Sequence, residues 1–241
     1  MSSILSLKFR KAFFSLTHPC SWSALRFGVA PAIEHRPVLG GLDCDVILDV
    51  GANRGQFSLI SRIVKPAIPI VAFEPLPSEA EVFLRVTSGF ANVQLHQTAL
   101  GENVGEAEIH LSRSADSSSL LPIGETQRKI FRDTDEVGTL KVPVKRLDDF
   151  KSEWGKYSPI LLKIDVQGYE LSVLKGAVET LKRCAFVYVE CSETELYIGQ
   201  ALYRDVADFL EQQGFKQQSR YNETVVDGKL VQADYLFCAK R

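Results

Sequence analysis

From residue 46 onward the chain alternates two hydrophobic patterns. Short, nearly continuous apolar runs at Val46–Val50, Ile68–Phe73, Val93–His96, Ile160–Val166 and Phe186–Val189 predict strands buried on both faces. Between them apolar residues recur at helical spacing. Phe57, Ile60, Ile63 and Val64 form one stripe, and Leu171, Leu174, Val178 and Leu181 another. A third, Leu202, Val206, Phe209 and Leu210, stops at Gly214, the position of a helix C-cap. Val82, Leu84 and Val86 lie in a further predicted helix. Strands of this kind separated by amphipathic helices predict an α/β fold, a mostly parallel sheet covered on both faces. The tail differs: Phe215–Arg220 and Tyr235–Ala239, around Asp227-Gly228, predict a closing antiparallel hairpin.

Two stretches break the alternation. Between Gly101 and Pro159, Glu106–Leu111 and Lys141–Arg146 alternate apolar and polar residues, which predicts an inserted hairpin with a polar loop. The chain thus divides into a lead-in (1–44) and a main domain (45–241) carrying an insertion (101–159). In the lead-in, Pro19, Pro31 and Pro37 interrupt any long helix. Leu5, Phe9, Phe13 and Leu16, with Ala12, fall on one helical face, expected to lie on the domain; contact of residues 1–16 with a membrane surface is the alternative. The apolar run there is too short and interrupted for a signal peptide or a span.

Composition narrows the function classes. With 45% apolar residues in 241, one substantial core is available, and 24% charged residues mark nothing as disordered. A net charge of -2, with bases interleaved among acids, argues against an extended nucleic-acid surface. The five cysteines are scattered without a C-x-x-C pair, which suggests neither a zinc site nor a disulfide framework and fits a reduced, cytoplasmic compartment. No spacing supports a metal site, and His35, His96 and His110 lack recognisable partners, so each is read as structural or surface.

The candidate chemistry sits where strands end. In Val46 to Gly55, V-I-L-D-V-G-A-N-R-G, a strand runs into Gly51 and Gly55 and a helix starts at once. Such a turn lets helix amides approach a ligand beyond the carboxyl ends of the strands. A dinucleotide would ask for G-x-G-x-x-G, but Asn53 stands at the second glycine and Gly55 arrives one residue early. A phosphate-free cofactor suits the turn better. S-adenosylmethionine qualifies: its ammonium can pair with Asp49 and its carboxylate can face amides and Asn53. Glu74, followed by Pro75 at the end of the next strand, is placed to accept both ribose hydroxyls. The small residues Thr98 and Ala99, after the third strand, leave a slot for adenine.

A second cluster, Lys163-Ile-Asp165-Val-Gln167-Gly168-Tyr-Glu170, puts two charges on one face of a buried strand. A structural ion pair would explain it, since buried charges must be paired. The pair also lies at the same sheet edge as the glycine turn, which favours a functional role. Glu170 reads as a first-turn helix carboxylate, and Glu190 reaches the same edge.

Taken together, these blocks resemble the FkbM-type methyltransferases. The matching segments are Leu48–Gly55, Ala72–Pro75, the serine run Ser117–Leu120, Arg146–Phe150 and Leu162–Ala177, with a weaker likeness at Glu34-His35-Arg36. The resemblance implies a class I, seven-stranded fold, S-adenosylmethionine as donor, and O-methylation of a sugar, polyketide or similar metabolite. It also implies cofactor contacts at Asp49, Gly51, Asn53 and Glu74, and an acid beside the methyl-transfer site at Asp165. The family usually carries Glu where this chain has Gln167. On this reading Asp165 is the general base and Lys163 orients it or the substrate. The alternatives are a nicotinamide-dependent oxidoreductase and a non-catalytic cofactor-binding module.

Overall fold

Every apolar run read as a strand is one. In a computed structural model that describes residues 10, 11 and 13–240, the strands are β1 (Val46–Val50), β2 (Ile70–Phe73), β3 (Val93–His96), β4 (Ala99–Leu100), β5 (Gly105–Ser112), β6 (Glu136–Lys145), β7 (Ile160–Ile164), β8 (Cys184–Ser192), β9 (Phe215–Val226) and β10 (Lys229–Ala239). Seven of them form one sheet in the order β3-β2-β1-β7-β8-β10-β9. The first five of these pair in parallel, while β10 runs antiparallel to both β8 and β9. The longest helices are α1 (Gln56–Val64), α2 (Pro77–Thr87) and α4 (Tyr203–Gln212), and the short α3 (Glu170–Lys175) follows β7. The inserted hairpin is β5 against β6, completed by β4 in a separate three-stranded sheet.

Alternation along each strand decides which core a side chain joins. Val46, Leu48 and Val50 of β1 pack into a cluster with Val187, Val206 and Tyr235, while Ile47 faces one with Phe57, Ile60, Leu161 and Tyr188. By the same alternation Asp49, Lys163, Asp165 and Glu190 belong to the α1 side. The chain moves from β1 outward to β2 on one flank, and later returns to β7 on the other. That reversal opens a crevice beyond the carboxyl ends of β1 and β7, where open α/β sheets bind ligands.

Two expectations change. Of the predicted lead-in face, the two described residues are exposed, Phe13 at 71% and Leu16 at 65%, while Leu5, Phe9 and Ala12 fall outside the described residues. The segment docks instead through the neighbouring face, where Phe14 stacks on His18 and sits under Arg36, and the Lys11 ammonium pairs with Glu34. The stripe Leu171–Leu181 is split into α3 and the turn Val178–Leu181. A side chain at Gly176 would stand 2.1 Å from the Gly101 carbonyl oxygen, and that close approach bends the chain. Asp148 then caps the second piece, accepting the Glu179 and Thr180 amides at 3.0 and 2.8 Å.

Candidate active site

The turn after β1 is built by contacts that exclude side chains. Gly51 has φ +75°, and a Cβ there would lie 1.8 Å from the Asp165 carbonyl oxygen. Only glycine lets the ends of β1 and β7 meet in this way. The amides of Gly51 and Ala52 both donate to the Phe73 carbonyl, at 3.1 and 3.0 Å, which binds the turn to the end of β2. Asn53, also left-handed at φ +48°, accepts the Arg54 amide on its own Oδ1 at 2.7 Å. Gly55, at φ +91°, starts α1 against the Phe83 ring.

Glu74 is part of the same unit. Its Oε2 accepts the Asn53 amide at 2.8 Å and its Oε1 the Leu76 amide at 2.9 Å. Burial pushes its pKa up to about 7, against the lowering effect of the two amides. Each carboxylate oxygen accepts more than one hydrogen bond, so both retain capacity for a ligand hydroxyl.

The second cluster is a buried charge chain. The β1–β7 register sets Asp49 beside Lys163. The Lys163 ammonium lies 3.2 Å from Asp49 and 3.8 Å from Asp165, donates to the Gly51 carbonyl at 3.0 Å, and sits over the Phe57 ring. Burial opposes its charge, but Asp49 and Asp165 outweigh that and hold its pKa above the ordinary lysine value. Ser58 donates to the other Asp49 oxygen at 2.7 Å. Lys163 is therefore an ion-pair partner of Asp49 and also stands beside Asp165.

After β7 the chain turns through two left-handed residues, Gln167 (φ +55°) and Gly168 (φ +97°). Glu170 is the first-turn acid of α3, as its position predicted. It is buried, accepts the Gly168 amide at 2.8 Å, and is raised by that burial to about pKa 7. The Gln167 amide nitrogen lies 2.8 Å from Asp165 Oδ1 and 2.9 Å from Glu190 Oε2.

These elements enclose a cavity of about 280 Å³, just below the range of roughly 300–1,000 Å³ for ligand sites. Gly51, Asn53, Glu74, Pro75, Thr98, Ala99, Lys163 and Asp165 all line it, so most of the sequence-derived candidates meet at one place. Asp49 and Gly55 do not reach it. Asp49 is fully buried and its carboxylate is taken up by Lys163 and Ser58, so it supports the turn from below.

Two further walls come from the lead-in and from the insertion. Glu34 and His35, from the lead-in, face the cavity on one side. Among the described residues Glu34 Oε2 is buried without a hydrogen-bond partner, and His35 contacts the Tyr188 hydroxyl at 2.9 Å. The weak likeness at Glu34-His35-Arg36 was the only signal for them. The serine run supplies the other wall through Ser118 and Ser119. The fit to a phosphate-free sulfonium nucleoside is good. The turn is closed to a second glycine-like approach by Asn53, Glu74 offers acceptors for a diol, and the orphaned Glu34 oxygen is a partner for a ligand cation.

Comparison with known proteins gives the same picture. The family model described as the methyltransferase FkbM domain matches residues 49–216. The 2-O-methyltransferase NoeI of Sinorhizobium fredii is 30% identical over 184 residues, covering 73% of this chain and 76% of that protein. Methyltransferase 1 of Beauveria bassiana is 34% identical over 149 residues, 56% of this chain and 59% of its own. The 31-O-demethyl-FK506 methyltransferase FkbM of Streptomyces tacrolimicus is 29% identical over 154 residues, 55% of this chain and 59% of its own. The match thus spans about three quarters of the first relative and about three fifths of the other two.

Proposed function

Because this chain belongs to the FkbM methyltransferase family and its methyl donor is S-adenosylmethionine, we propose that it methylates a hydroxyl oxygen of a sugar, glycolipid, oligosaccharide or similar small metabolite. The observation that carries this reading is the Asp165 carboxylate, which lines the same cavity as Glu74 and the glycine turn. Two relatives named as O-methyltransferases support the oxygen acceptor. The family assignment displaces the nicotinamide-dependent alternative. Among the described residues, no helix is long and apolar enough to cross a membrane.

The donor supplies an electrophilic methyl group on a sulfonium, so the protein's tasks are positioning and proton removal. Glu74 accepts the ribose hydroxyls at the edge of the turn. Gly51 and Asn53 shape the backbone against the amino-acid end, and Thr98 and Ala99 border the ring slot. Asp165 takes the proton of the acceptor hydroxyl, which is a poor nucleophile while protonated. Lys163, fixed by Asp49, holds positive charge beside Asp165. The serine run and the Glu34–His35 segment wall off solvent around these groups.

The experiment is a transfer assay with methyl-labelled donor and a panel of glycans and hydroxylated metabolites. The reading expects S-adenosylhomocysteine release together with label in an alkali-stable ether. Label confined to nitrogen, carbon or an ester would contradict it.

Glu74 also sets a pH dependence. With its pKa at about 7 in the free protein, it is the ionised form that best accepts two hydroxyls. Below that pH it carries a proton and loses acceptor capacity, so affinity for S-adenosylhomocysteine strengthens as pH rises through about 7 and levels off above. Calorimetric titrations spanning about one unit either side test this; a flat affinity would remove Glu74's ionisation from binding.

A further inference from the structure

Gln167 stands where the resembling family usually carries a glutamate, and its contacts show what the exchange does. Its nitrogen reaches Asp165 Oδ1 at 2.8 Å and Glu190 Oε2 at 2.9 Å. Its oxygen lies 2.8 Å from the Tyr197 hydroxyl, and its backbone carbonyl accepts the Ser119 hydroxyl at 2.6 Å. Two carboxylates need donors, so the amide must turn its NH₂ toward them and its oxygen toward tyrosine. The left-handed backbone at φ +55° is what brings this side chain back across the end of β7.

We propose that Gln167 is a positioning residue for Asp165: its amide bridges Asp165 and Glu190 and fixes Asp165 Oδ1, while Oδ2 faces the Lys163 ammonium at 3.8 Å and, among the described residues, accepts no hydrogen bond. This rests on the assignment of Asp165 as the base. A hydrogen bond to one oxygen fixes the carboxylate plane, so the proton of the acceptor is directed to the other. The neutral amide also keeps two acids from sharing a proton, which a third carboxylate at the same place would force.

The charge environment makes the bridge consequential. Asp165 is faced by Lys163 from its own strand, with Asp49 behind it on β1. Glu170 at the start of α3, Glu190 on β8, Asp234 on β10 and His35 from the lead-in also act on this group electrostatically. Lys163 is thus the one lysine or arginine in a set otherwise dominated by carboxylates. Glu190 is partly buried, and desolvation, followed by Asp165, pushes its pKa well up. Among the described residues of this set, an added negative charge at 167 finds no further lysine or arginine.

The test uses two substitutions of nearly the same shape, Gln167→Met, which removes the donors, and Gln167→Glu, which replaces them with an acid. Three quantities are measured for each: kcat against pH, S-adenosylhomocysteine affinity, and thermal unfolding. Both variants are expected to keep donor-product affinity within about threefold, because Gln167 lies on the acceptor side of the donor contacts. Both lose about tenfold or more in kcat near neutral pH. In Gln167→Glu the acidic limb of kcat moves up by about one unit or more, since a neighbouring charge disfavours the ionised base, and raising the pH recovers part of the rate. Gln167→Met shows a smaller displacement. Acidic limbs coinciding with the wild type in both variants, with only stability altered, would overturn the proposal. If wild type binds no S-adenosylhomocysteine at all, the functional reading fails instead, which separates the two outcomes.

Discussion

Asp165→Asn is expected to reduce turnover by about 10²- to 10⁴-fold, the usual contribution of a general base, while affinity for S-adenosylhomocysteine stays near the wild-type value. The substitution keeps the shape and can still meet Gln167, but it cannot take a proton. Asp165 lines the cavity at the end of β7, whereas the proposed cofactor contacts centre on the turn after β1 and on Glu74, which line the same cavity. Losing both functions together would mean that Asp165 holds the donor; losing neither would mean that the base lies elsewhere. Single-turnover kinetics with a bound acceptor is the direct comparison.

Lys163→Met is the second large effect, and it falls first on stability. Asp49 is fully buried, with Ser58 as its other polar partner. Removing the ammonium leaves a carboxylate in the core, which typically costs about 3–5 kcal/mol, or roughly 6–20 °C in Tm for a chain of this size. The pair itself need not be strongly stabilising, so Asp49→Asn combined with Lys163→Met should recover most of that loss. Thermal unfolding of the two single variants and the double variant measures the coupling. Additive losses would show that the two side chains act independently and that the buried pair is not what holds the turn. The double variant also separates roles: if it folds but turns over slowly, Lys163 acts on Asp165 as well as on Asp49.

Most of the architecture could be read from the chain because its strands are apolar on both faces and its helices on one. The β5–β6 insertion and the β9–β10 hairpin were equally visible, the first as strict alternation and the second through Asp227-Gly228. Of the site, residues at strand ends were legible, since the topology carries every such end to one edge. The depth of a residue below that edge was not. Asp49 sits on the α1 side below the cavity that Lys163 lines, and the two pair with each other. The lead-in was hardest. Glu34 and His35 reach the cavity only because the Ala32 amide donates to the Gln56 carbonyl and Ala32, Val38 and Leu39 join the core beside α1. Such packing across the chain leaves no local periodicity. The exposure of Phe13 and Leu16 has the same origin: helical spacing defines a face but not which neighbour it meets.

Calorimetry of S-adenosylhomocysteine binding to Glu74→Ala tests most directly the proposed hold of Glu74 on the donor's sugar at the Gly51–Gly55 turn. Two hydroxyls lose a charged acceptor, so affinity should fall by about tenfold to a hundredfold, with the variant's fold verified by its unfolding transition. A folded Glu74→Ala protein with the wild-type dissociation constant would contradict it.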